Sequence, residues 1–473
     1  MITMLKDVSI TVTDGQLATA SGEGVHVKIG VSPVSTTEPL VIKGSYGAKR
    51  IQSILGLSPL ADACMDSVEN GAGLIYCIPV KASTDGSVGT VAKITADETG
   101  TGAMAITGKP NNRYSIRVRI TKAGGFNEAA LQYSFDGSIT YSDDVTMPLD
   151  GSLSVDPTGL KFVFTEGEGP AKFAAGDVFT AATTAPQMSN ESVLAALPSV
   201  RKITQTIEFI HIVGESNKAL WASLAVEAEN FFSKYFKPIF FVLEARAPAD
   251  DESVEQYVHT LIADRKTFNS YFLQVVAARG SYLRMDGTTQ NINLAGIVCG
   301  LYPRASVQQS ISETRSFSIS KDKLIRLEPE GIEENLDLLD EADFLTFRRY
   351  EGLDGFYVTK PNMLAAESSD YQYAERVRVL NKAARLVRKE ALLQLHRNIN
   401  MDKVEEELAA IGGFIAAPLE DMANDEEISS GSITIPSGQD ILADETLHVI
   451  LRFVPVGYVR EIAVDLGMKN PNA

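Results

Sequence analysis

The chain is poor in the residues that carry most cofactor and metal chemistry. Its 473 residues include three cysteines, five histidines and one tryptophan. Cys64, Cys77 and Cys299 lie far apart with no C-x-x-C pairing, which fits a reducing compartment and argues against a zinc site. There is no H-E-x-x-H helix and no G-x-S-x-G elbow. Long apolar runs are missing too. The longest, "LAAIGGFIAAPL" from Leu408 to Leu419, is too short to span a bilayer, and "MITMLKDVSITVTDG" at the N-terminus has no core for a signal peptide. Synthesis in the cytoplasm without direct membrane insertion is the expectation. A basic excess is also absent. The net charge is −18, which argues against nucleic acid or an anionic membrane as the main partner.

Phosphate-binding loops fail on spacing. "GAMAITGKP" places five residues between its glycines, and Pro110 stands where a magnesium-binding Ser or Thr is required. No G-x-G-x-x-G follows the first strand of the α/β region. "YSFDGSITYS", Tyr133 to Ser142, nearly spells the Asp-box of sialidases, but it occurs once, with its glycine one place early and Tyr141 in place of Trp. An Asp-box is a turn device, so a plain β-hairpin is the preferred reading. His211 in "FIHIVG" suits a buried base, but a satisfied strand histidine is the commoner case. No catalytic constellation and no cofactor site emerge.

What is present is a sequence of changing textures. The length points to several domains. An N-terminal arm covers 1–20, with Val8, Ile10 and Val12 alternating against Ser9, Thr11 and Thr13. An α/β core spans 21–82 and 189–370. It holds the buried strand "GLIYCIPV" and the alternation of "IEFIHIVG", "SNKALWASLAVEAENFFSKYF", "PIFFVLEA", "ESVEQYVHTLIADRKTF" and "SYFLQVVAARG", a βαβαβ rhythm that calls for a parallel or mixed sheet covered by helices. Between 83 and 188 there are 13 Gly and 14 Thr but only 4 Leu, with closely spaced strand and turn signals. That texture reads as an inserted all-β sandwich.

A C-terminal α+β domain, 371–473, opens with a long helix over 371–397. Its apolar stripe is Leu380, Ala384, Val387, Ala391 and Leu395, and Arg378, Lys382, Arg385 and Lys389 recur at helical spacing as a basic stripe. This stripe is either a solvated face or complementary to an acidic surface on another subunit, such as the run of eight acidic residues between Glu328 and Asp343. A second helix is expected over 402–411. Two strands should close the chain, "TLHVILRFVPV" and "VREIAVDLGM", the latter an arm from about 456 with Ile462, Val464 and Leu466 on one face.

Four stretches in order carry a family likeness: "ENGAGLIYCIPV", "NLAGIVCGLYPRASVQQSISETRSFSI", "DYQYAERVRVLNKAARLVRKEAL" and "GQDILADETLHVILRFVPVGYVREIAVDLG". Together they resemble the contractile-tail sheath proteins of phages, tailocins and related injection systems. The resemblance implies a structural subunit and not an enzyme. Its partners would be copies of itself in hexameric rings and a helical sheath, an inner tube protein, and baseplate and tail terminator proteins. Terminal arms donating strands to neighbours would hold the lattice through contraction. On the residues alone two rivals stand: a carbohydrate-active or nucleotide-using enzyme on the α/β core, and a surface binding module carrying the β-sandwich.

Overall fold

The computed structural model describes residues 23–94, 100–168, 172–249 and 251–469. At its centre is a six-stranded sheet with the order Leu273–Val276, Phe240–Ala245, Phe209–Ser216, His26–Val31, Leu74–Val80, Leu40–Lys43. The first five strands run parallel and the last is antiparallel. Val27 pairs with Ile210 on one side and Tyr76 on the other. The parallel strands are apolar along nearly their whole length because helices cover both faces of such a sheet. His26–Val31 and the first five residues of Phe209–Ser216 are buried throughout.

The helices begin where the sequence supplies a cap. The side chains of Ser58, Ser189, Asn217 and Ser253 each accept a backbone N–H of the first turn, and Ser253 with Gln256 forms a reciprocal capping box. Lys218–Ser233 buries Leu220, Leu224, Ala228 and Phe231, the stripe expected from its periodicity. Pro59–Glu69 packs closely on Ala295–Leu301. Only glycine permits that approach at Gly300, where a Cβ would lie 2.5 Å from the Ser67 carbonyl oxygen.

The chain leaves the central sheet after Val80 and re-enters a core helix at Asn190. Ser83 N–H donates to the Gln187 carbonyl at 2.8 Å, so the two crossings are adjacent. Between them lie a three-stranded antiparallel sheet, Ala103–Gly108, Leu160–Thr165 and Ser152–Val155, and a five-stranded one centred on Ser115–Lys122. One apolar cluster joins the two, with Ile116, Val118, Leu131, Phe162, Phe173 and Phe179 at its middle. The Tyr133–Ser142 segment is a self-satisfied turn. Asp136 accepts from the Ile139 and Thr140 backbone at 3.0 Å and from Ser134 Oγ at 2.6 Å, and Gly137 takes φ +77.

Two expectations for the C-terminal region are corrected. The second helix is Val404–Asn424, twice the expected length, and runs through Gly412, Gly413 and Pro418. Its first-turn glutamates, Glu405, Glu406 and Glu407, suit the positive end of the helix dipole. The long helix, Ala374–Leu393, turns a different face inward. Val377, Arg378 and Asn381 are buried, whereas Leu380, Ala384, Val387 and Ala391 are half-buried, and Leu395 lies beyond the helix and is exposed. Among the described residues the segment "VREIAVDLGM" forms no strand. Among the described residues the closing sheet is the hairpin of Ile428–Thr434 and Ile450–Pro455 alone.

Candidate assembly surface

The basic stripe of the long helix is mostly turned into its own chain. Arg378 and Glu208 are both fully buried, with Nε donating to Oε1 at 2.5 Å. Arg378 also donates to the carbonyls of Ser306 and Tyr302 at 3.1 Å, and Glu208 Oε2 accepts Gly24 N–H at 2.5 Å. The pair is therefore an internal staple between the C-terminal helix and the residue that precedes a central strand. Such a pair is tolerated in low dielectric because nearly every lone pair and proton has a partner. Lys382 Nζ lies 2.6 Å from Glu427, and Arg385 is 3.7 Å from Glu23 and donates to the Pro238 carbonyl at 3.4 Å. The expected role of Arg378, Lys382 and Arg385 as a face offered to another subunit is corrected accordingly. Lys389 alone of the four is exposed. The acidic run is likewise partly spent within the chain, with Glu333 on Arg349, Asp340 on Lys360 and Asp343 on Arg265.

The closing hairpin lies on the helix Val404–Asn424. Gly431 sits against Leu419, and Ile428, Leu419 and Met422 share a small core with Val307, Val379 and Ala383. Beyond Pro455 the chain continues without a regular element and is held at one root. Tyr458 Oη donates to the Gln308 carbonyl at 2.6 Å. Arg460 pairs with Glu375, which is almost fully buried, and its guanidinium stacks 3.6 Å from the centroid of the Tyr373 ring.

Past that root the apolar side chains have no cover. Ile462 is 77%, Val464 75% and Leu466 91% exposed. These are the residues whose alternation suggests a strand, and they present one apolar side with no sheet of the described residues against it. Val8, Ile10 and Val12 lie outside the described residues. Sequence reading does not identify Arg460 or Glu208. The one signal for Arg460 is that it is the only basic residue between Arg452 and Lys469.

The remaining chemistry-bearing residues form no metal cluster among the described residues. His211 is fully buried on its strand, with Lys28 Nζ 2.7 Å from Nδ1. Burial and then the Lys28 charge press its pKa well below the ordinary value, which leaves the ring neutral. No helix among the described residues is long and apolar enough to cross a membrane.

The family described as DUF2586 matches nearly the whole chain, its N-terminal domain over 5–362 and its C-terminal domain over 370–473. A comparison with curated proteins finds no match. Solved structures share the fold. A sheath tail protein from Desulfitobacterium hafniense aligns at TM-score 0.50 and 14% identity, covering 96% of this chain and 100% of that one. The helical sheath of the anti-feeding prophage in its contracted state aligns at TM-score 0.54 and 10% identity, covering 99% and 98%. A chain of the anti-feeding prophage baseplate gives TM-score 0.54 and 10% identity, covering 99% and 100%. The chain belongs to the DUF2586 family, and its fold is that of the contractile-tail sheath proteins.

Proposed function

We propose that this protein is the structural subunit of a contractile tail sheath, made in the bacterial cytoplasm and assembled into a phage tail or phage-tail-like particle. The observation that carries the reading is the pinned, uncovered tail beside an unextended hairpin, in a chain that aligns end to end with sheath proteins. A two-stranded sheet is marginal in water and leaves outer N–H and C=O groups to be paired. A neighbour's 461–468 segment would supply both the hydrogen bonds and the apolar side chains by strand addition. Each backbone bond contributes ~0.5–1.5 kcal/mol net. Each buried aliphatic side chain contributes ~1.5–3 kcal/mol before ordering costs. The N-terminal arm, with Val8, Ile10 and Val12, would dock in the same manner.

In this reading the subunits stack as hexameric rings around an inner tube protein, and baseplate and terminator proteins close the two ends. The arms keep neighbours linked while the cores slide during contraction. Lys389 is the member of the basic stripe left to meet an acidic face of the tube or of a neighbour. The β unit of 83–188 projects outward and is dispensable to the core, because its two crossings lie side by side and its apolar cluster is its own. Replacing it with a short Gly/Ser linker should leave the core folded by circular dichroism, and loss of the fold would contradict that assignment.

Negative-stain microscopy of the purified protein, alone and with its tube protein, tests the main reading. Rings or tubes are expected, with fewer and shorter tubes from Lys389→Glu. Monodisperse particles under both conditions would refute it.

A further inference from the structure

A cavity of about 430 Å³ opens at the carboxyl ends of the central strands, lined by Val31, Gly214, Glu215 and Glu244. The chain passes from His26–Val31 to Leu74–Val80 on one side and to Phe209–Ser216 on the other, so the strand order reverses here. Open α/β sheets bind ligands at this position, and this volume falls within the range of small-molecule sites. A bulge between Ile212 and Glu215, with Gly214 at φ +109, spreads the strand end at the cavity wall.

The charges in the wall are unevenly matched. Its carboxylates are engaged. Asp62 accepts Arg284 Nη1 at 2.5 Å and Asn112 Nδ2 at 2.6 Å, and Asp66 accepts Arg284 Nε at 2.9 Å. Glu215 Oε1 accepts Ala247 N–H at 3.1 Å, and Glu244 Oε1 lies 3.2 Å from His211 Nε2. Two guanidinium groups are not engaged. Among the described residues the side chains of Arg113 and Arg279 make no hydrogen bond and no ion pair, although Arg279 is only 6% exposed. Their charges oppose each other. Burial, and then Arg279, hold the Arg113 guanidinium below its ordinary pKa, with Glu215 and Glu244 acting in the opposite sense. Guanidinium N–H groups left without an acceptor at a largely buried wall are costly, and an oxyanion accepting from both side chains would supply those hydrogen bonds.

We propose that this cavity binds a small oxyanion, a phosphate or a carboxylate, between Arg113 and Arg279. Arg113 belongs to the 83–188 unit and Arg279 to the core, so the bound anion joins the two. The site does not depend on the assembly reading, because its ligand is bound by the monomer.

The test titrates the full-length protein with inorganic phosphate and, separately, with succinate. Calorimetry and thermal melting are read at constant ionic strength, with chloride as the reference. Saturable binding of either anion is expected, weakened about tenfold or more by Arg113→Gln and by Arg279→Gln, as loss of a charge-assisted pair predicts. Saturation by phosphate alone assigns the phosphate class, and saturation by succinate alone the carboxylate class. The melting midpoint without anion should not fall in Arg113→Gln, since no partner is lost, and Arg113→Lys should bind with intermediate affinity. Three results would each overturn the site: a response no greater than that to chloride, equal affinity in the double variant, or a lowered midpoint with the anion response intact.

Discussion

The two ends of the C-terminal region treat their unusual side chains in opposite ways. At the start of the long helix, Arg378 is sealed in the interior against Glu208, with the carbonyls of Ser306, Tyr302 and Ala305 accepting from it. At the other end, Ile462, Val464 and Leu466 stand in solvent with nothing against them. A charge inside and a row of aliphatic side chains outside both invert the ordinary distribution. The first inversion is resolved within the chain and so concerns folding. The second is unresolved among the described residues and underlies the proposed contact with a neighbour. Arg460 marks the boundary between them: it is paired with a buried glutamate, and residues 461–469 after it are exposed.

Three substitutions sharpen that contrast. The largest effect belongs to Glu208→Ala, which strands the Arg378 guanidinium in the interior. Breaking a buried pair from one side costs ~3–5 kcal/mol, and the denaturant midpoint should fall accordingly. A near-wild-type midpoint would mean that water reaches the pair.

Arg460→Ala is expected to be milder. It leaves Glu375 without its partner at a cost of ~1–3 kcal/mol and frees the root of the tail. Limited proteolysis should then cut near 456–460 faster, while the far-ultraviolet spectrum is unchanged. Unaltered cleavage would place the anchor at Tyr458 instead.

The smallest effect serves as a control far from either end. The Arg246 guanidinium, 2.6 Å from Glu252, holds that carboxyl at about 2, below its ordinary value near 4.5. The stability it contributes is present above the unfolded value and is lost as pH falls from about 4.5 toward 2. Glu252→Gln should lower neutral stability slightly, flatten that part of the acid denaturation curve and leave assembly as it was. An assembly defect in this variant would show that the core rim, and not only the tail, takes part in the lattice.

The sequence reveals these two regions unequally, for physical reasons. The central strands are legible because burial on both faces demands continuous apolar runs, as in "PIFFVLEA". The core helices are legible because Ser253 with Gln256 and Asn217 announce their starts. The Arg378 staple is illegible because its partner lies 170 residues away, and a basic repeat on a helix looks the same whether it faces water or a buried carboxylate. The helix Val404–Asn424 is obscured by Gly412, Gly413 and Pro418, whose low propensity is overridden by packing under the hairpin. The tail is half legible. The alternation of Ile462, Val464 and Leu466 states that one face wants cover, but periodicity does not say whether that cover comes from the same chain.

Removal of everything after Gly457 tests that last point most directly, with circular dichroism reporting the fold and sedimentation velocity with microscopy reporting assembly. The truncated protein should keep the spectrum and melting behaviour of a folded subunit and sediment as a small species without tubes. Full-length tubes that contract without shedding subunits would contradict a lattice held together by exchanged strands.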